Sequence, residues 1–161
     1  MRGRGFTLVE ILIVVVILAI LAMVVVPQFS AAVDDTKQTA TAQTQQMIQK
    51  QIVLYIAEHG GRAPHINEEG IVDTVYFISR LTCKTDPSGK INDSSGSCGP
   101  YLDGWPANPM LPNTNNRLTG TIEFGTATWG SGKTAWYFNM NTHEFKANDP
   151  TSIAVEKSKV P

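Results

Sequence analysis

Residues 1–30 read Met1-Arg2-Gly3-Arg4-Gly5-Phe6, then TLVEILIVVVILAILAMVVVPQFS to Ser30. Past two arginines and two glycines the chain is almost uninterruptedly apolar to Val26. As one helix rising 1.5 Å per residue, Phe6 to Val26 is about 31 Å long, the thickness of a bilayer's hydrocarbon core. Glu10 alone breaks the run. A carboxylate there costs about 2.5–3.5 kcal/mol on insertion scales, so it needs a partner or a purpose. A secretory leader fits poorly, because its small-residue cleavage site follows the apolar region. Here the small-residue junction, Arg4-Gly5-Phe6, precedes it. A plain signal anchor is what the composition alone leaves open.

Arg4-Gly5-Phe6-Thr7-Leu8-Val9-Glu10 with the apolar helix and Pro27 resembles the prepilin signature of type IV pilins and type II secretion pseudopilins. The resemblance implies cleavage between Gly5 and Phe6 by a prepilin peptidase and N-methylation of the new Phe6 amine. It also implies that Glu10 guides each subunit into a helical filament. Ala19 departs from the pattern, standing where many relatives carry a helix-loosening glycine.

Simple electrostatics gives Glu10 the same role. Cleavage after Gly5 leaves a positive amine at Phe6, one helical turn from Glu10, and both sit in hydrocarbon. Buried opposite charges favour finding each other. If subunits stagger along an axis, Glu10 of one copy meets the Phe6 amine of another; pairing within one chain is the alternative. Arg2 and Arg4 hold the amino terminus on the cytoplasmic side, so the carboxyl-terminal part faces outward.

The 161 residues leave room, past a membrane helix, for one outward domain of about 100 residues. The chain has 13 basic and 14 acidic side chains, net −1; without Arg2 and Arg4 the count is 11 against 14, or −3. No basic patch favours nucleic acid. Cys83 and Cys98 lie on the outward side, where a pair of cysteines is expected to form a disulfide. Its loop is worth about 3 kcal/mol in the chain-entropy model.

Beyond Pro27, which kinks a helix without ending it, Phe29, Val33, Thr36, Ala40, Met47, Ile48, Ile52 and Tyr55 recur at helical spacing. Gly60-Gly61 stops that helix. Four segments follow: a leader (1–5), a transmembrane and polymerisation half-helix (6–26), an amphipathic half-helix (27–59) and an extracytoplasmic head (60–161). In the head, Ile71, Val75, Ile78 and Leu81 share a helical face, so residues 71–82 read as a short helix, with a strand as the alternative. Residues 83–116 read as a long loop, with turns at Gly99-Pro100-Tyr101-Leu102, Trp105-Pro106 and Asn108-Pro109. Residues 118–124, 126–129, 134–139 and 143–147 have strand composition, the last two as a hairpin. A three- or four-stranded antiparallel sheet laid on the second half of the long helix is expected, an α+β fold similar to the pseudopilin pattern. Residues 149–161 read as a frayed or loosely docked tail.

No catalytic arrangement stands out, and no enzyme is expected. His59, His65 and His143 are dispersed, with His59 placed to favour a helix dipole. Gly130-Ser131-Gly132-Lys133 reads as a turn, and Trp129, Trp136, Tyr137 and Phe138 as core. Major pseudopilins, the members this chain resembles most in size, commonly carry an acidic calcium loop. Here Asn148-Asp149-Pro150-Thr151-Ser152 holds one carboxylate, and Asp86, Asp93 and Asp103 are scattered, so calcium is a minor expectation. The expectation is a structural subunit of a pseudopilus or pilus-like filament at the bacterial inner membrane, polymerising with its own copies. The resemblance implies as partners the peptidase, an inner-membrane platform protein and an assembly ATPase. A monomeric, membrane-anchored extracytoplasmic ligand-binding module is the alternative.

Overall fold

A computed structural model of the chain describes residues 6–111 and 120–158. Helix α1 spans Leu8–Glu58, α2 Phe77–Thr82 and α3 Pro150–Lys157; strands β1, β2 and β3 are Ile122–Gly125, Trp136–Asn139 and Phe145–Ala147. The chain divides into two compact units, Met1–Lys37 and Gln38–Pro161. Helix α1 runs through Pro27, which leaves the carbonyl four residues earlier without its helical donor.

The second unit is the α+β head. Ile48, Ile52 and Tyr55 of α1 are fully buried, at i, i+4 and i+7, against Phe77 and Leu81 of α2 and Trp136, Phe138 and Phe145 of the sheet. Each such side chain contributes about 1.5–3 kcal/mol by leaving water. Phe77, Phe124 and Phe138 meet edge-on or tilted, with centroids 4.9–6.2 Å apart, a geometry aromatic quadrupoles favour. The expected stripe is narrower than its spacing suggested: Phe29, Val33 and Met47 are exposed.

The sheet order is β1-β2-β3. β2 and β3 form the expected antiparallel hairpin, Phe138 opposite Phe145. β1 pairs with β2 in parallel, Ile122 opposite Trp136, so the sheet is mixed rather than antiparallel. The reason lies in residues 126–135, which form no strand but return the chain to the start of β1. Two β2 side chains hold that return, as Tyr137 Oη and Asn139 Nδ2 donate to the Ala127 carbonyl at 2.6 and 2.8 Å. Gly125 is required there: a Cβ would sit 2.8 Å from Tyr137 Oη.

The outer edge of β3 is covered by glutamine side chains of α1. Gln49 Oε1 accepts from Phe145 N at 2.6 Å, Gln45 Oε1 from Ala147 N at 3.0 Å, and Gln49 Nε2 donates to the His143 carbonyl at 3.1 Å. These two glutamines of α1 thus supply the partners an edge strand otherwise lacks.

Residues 71–76 are not helical, and α2 begins at Phe77. Val72 bridges to Ile66, Asp73 N donates to the His65 carbonyl, and Asp73 Oδ1 accepts from Val75 N, so the local turn outcompetes the helical spacing. Asp73 also pairs with Arg80 at 2.8 Å. Arg80 is buried and donates further to the carbonyls of Pro64, Asp73 and Gly89, tying the loops before and after α2 to it.

The carboxyl-terminal segment is ordered as α3. Asp149 caps it by accepting from Ser152 N at 2.8 Å, and Pro150 occupies the first turn. The same buried Asp149 accepts from Asn108 Nδ2 at 3.0 Å. Asn108, 1% exposed, also donates to the Ala135 carbonyl and accepts from Thr41 Oγ1 and Met110 N. It joins α1, the long loop, the start of β2 and the α3 cap. Leu118 and Thr119 of the expected first strand lie outside the described residues.

Candidate functional site

The sequence-expected assembly residues lie in the first unit. Gly5 falls outside the described residues; Phe6 is exposed, just ahead of α1. Thr7 caps the helix. Its Oγ1 accepts from Glu10 N at 3.2 Å, while Thr7 N and Oγ1 donate to Glu10 Oε2 at 2.8 and 2.9 Å. This is a capping box, legible as Thr7-Leu8-Val9-Glu10 but missed when Glu10 was read only as a charge in an apolar run. The single acidic side chain of the run therefore satisfies helix-start donors of its own chain through one oxygen. Among the described residues no partner is found for Glu10 Oε1.

From Leu8 to Val26 every large apolar side chain is exposed, Leu8 at 83% and Val25 at 43%. The helix is long and apolar enough to cross a membrane, and none of its most apolar window is buried in the chain itself. An apolar surface of this extent demands lipid or other protein. Pro27 is likewise exposed, within the helix.

The other singled-out residues sit in the head. Cys83 and Cys98 are half-buried and free, so the expected disulfide is not formed in the structure. Cys98 faces Thr85 across an antiparallel bridge with N···O distances of 2.9 and 3.0 Å. Cys83 lies two residues from that facing position, which puts the thiols on a diagonal rather than opposite each other.

His59, at the carboxyl-terminal end of α1, is buried in the core. It is 3% exposed, stacks on Tyr55 at 3.8 Å, and binds the Tyr55 carbonyl at 2.7 Å and Thr85 Oγ1 at 2.9 Å. Burial pushes the Tyr55 hydroxyl up to about 12. His65 is 3% exposed, its Nδ1 without a partner among the described residues, with His143 5.6 Å away between ring centroids. Its pKa is lowered to about 4 by burial first, then by His143 and Arg80. Trp136, Tyr137 and Phe138 are core, whereas Trp129 is half-buried with Lys146 Nζ 4.5 Å from its ring centre. Among the described residues no three His, Cys, Asp or Glu side chains converge as a metal site would require.

Comparison with known proteins bears on the same amino-terminal segment. The prokaryotic N-terminal methylation motif matches residues 1–26. The chain is similar to the ComG operon protein 3 homolog of Bacillus licheniformis, 29% identical over 90 residues, which cover 56% of this chain and 88% of the relative. No solved structure gives a significant match. With a methylation motif at its amino terminus, an apolar helix long enough to span a membrane and an α+β head, the chain is similar to pilin-like proteins over its amino-terminal part.

Proposed function

We propose that the chain is the polymerising subunit of a pseudopilus-type filament. A peptidase cuts between Gly5 and Phe6, the Phe6 amine is methylated, and the subunit waits in the inner membrane with its head outside. The observation that carries this reading is the placement of Glu10, whose Oε2 is held by Thr7 while its Oε1 has no partner among the described residues. A carboxylate fixed this way in apolar surroundings offers its second oxygen to a cation, and we assign that cation to the terminal amine of another copy. Polymerisation moves the apolar helix from lipid into a bundle of like helices and neutralises Glu10 at the same step. The short head favours the pseudopilin over the pilus reading. The peptidase, platform protein and ATPase are separate polypeptides, and this subunit's role is mechanical rather than catalytic.

The test is filament yield, by electron microscopy and immunoblot of sheared surface material, from cells producing the wild type or Glu10→Ala. The proposal expects abundant wild-type filaments and a near-complete loss in the variant, with membrane levels unchanged. Equal yields would remove the mechanism and favour a monomeric anchored binding module.

A further inference from the structure

Two apolar surfaces of the head are left uncovered by its own fold. On α1, Met47, Val53 and Leu54 are 42%, 56% and 45% exposed and flank Lys50 on the face opposite the buried Ile48, Ile52 and Tyr55. In the loop before α2, Ile71, Val72, Val75 and Tyr76 are 57%, 59%, 82% and 52% exposed. The loop does not expose them by slackness. Asn67 Oδ1 accepts from Glu69 N and Ile71 N, Asn67 N donates to the Ile71 carbonyl, and Val72 bridges Ile66. Backbone this well satisfied is a fixed display of apolar side chains, and such patches mark contact surfaces. Beside Val75 opens a groove of about 420 Å³ lined in part by Ile78, Ile122 and Phe124.

Charge identifies what covers them. Glu68 and Glu69, at the tip of the loop, are exposed, and Lys50 is exposed at the centre of the helix stripe. Among the described residues none of the three has an ion-pair partner, the intrachain pairs being Arg80–Asp73 and Lys146–Glu144. One surface is apolar with an acidic rim, and the other is apolar around a cation. They lie on different elements of one domain, and paired head-to-tail they propagate along a row of copies.

We propose that the 66–76 loop of one copy docks on the Met47–Leu54 stripe of another, Glu68 and Glu69 reaching Lys50 while the stripe covers Val75 and its groove. This contact rests on the filament reading and adds to it the surface by which heads register.

The test uses the full chain in its producing cells. A benzophenone amino acid at position 75 is photoactivated in assembled material, and adducts are mapped by mass spectrometry. In parallel, Lys50→Glu, the pair Glu68→Lys with Glu69→Lys, and all three together are scored for sheared filaments, with subunit level and amino-terminal processing as folding controls. The expected results are a self-adduct within α1 residues 47–54, a loss of about tenfold or more in filament yield for each one-sided reversal, and substantial recovery in the triple variant. An adduct to lipid or another polypeptide, wild-type yield from the one-sided variants, or no recovery in a stable triple variant would each overturn the contact while leaving the filament reading in place. Absence of wild-type filaments would overturn that reading and this contact with it.

Discussion

Gln49 and Phe145 are 96 positions apart, yet the Gln49 side-chain oxygen accepts the Phe145 backbone N–H at 2.6 Å while its amide nitrogen donates to the His143 carbonyl. One side chain thus serves as a fourth strand for β3. Gln49→Ala strands both groups, and an unsatisfied buried polar group costs about 1–3 kcal/mol. Urea unfolding in detergent is expected to show a loss in that range, with Gln49→Glu intermediate because it keeps the acceptor and drops the donor.

Asn108 is the least replaceable polar residue of the head. Asn108→Ala removes the donor to buried Asp149, leaves the Thr41 hydroxyl unpaired and leaves the Ala135 carbonyl only its bond from Asn148 N, a loss of about 1–3 kcal/mol. Asn108→Asp keeps the shape but sets a second carboxylate against Asp149. Thermal melts are expected to show Asn108→Asp recovering as pH falls and one carboxyl is protonated, a recovery Asn108→Ala lacks.

His65 makes head stability pH-dependent. Its folded pKa of about 4 lies below the ordinary imidazole value of 6.5, so between those values the unfolded chain binds a proton the folded one refuses. Stability contributed by the neutral ring is present above pH 6.5, declines as pH falls toward 4 and levels off below. The total is on the order of 3 kcal/mol at 1.36 kcal/mol per pKa unit. Denaturation midpoints from pH 7.5 to 4 are expected to fall for the wild type and to fall less for His65→Leu, which has no proton to take up.

Glu10 has two tasks that one substitution pair separates. Glu10→Gln retains an oxygen to accept from Thr7 but carries no charge, whereas Glu10→Ala loses both. If neutralising another copy's amine is what matters, both variants lose filaments to a similar extent. Full assembly by Glu10→Gln would reduce the residue to a helix cap worth about 1 kcal/mol.

The membrane-length helix, the amino-terminal methylation motif and the β2–β3 hairpin were legible because each rests on local pattern: an apolar run, a short motif, a two-strand period around a turn. What was not legible rests on pairing between distant residues. Residues 71–82 carried helical spacing, but Asp73 was claimed by Arg80 and the loop by Asn67. The parallel β1 pairing depends on where residues 126–135 return, which no local period encodes. The roles of Gln45 and Gln49 carry no local signal because their partners are backbone groups about a hundred positions away. The Asp149-Pro150 cap and the Thr7–Glu10 capping box, by contrast, were present as sequence signals and were passed over.

Trimming to Phe6 frees the amine that is to meet Glu10 of another copy. Intact-mass and amino-terminal mass spectrometry of subunits recovered from sheared filaments reads that trimming. The expected result is a chain beginning at N-methylated Phe6 in polymeric material. A chain still beginning at Met1, recovered only as single copies in the membrane, would contradict it.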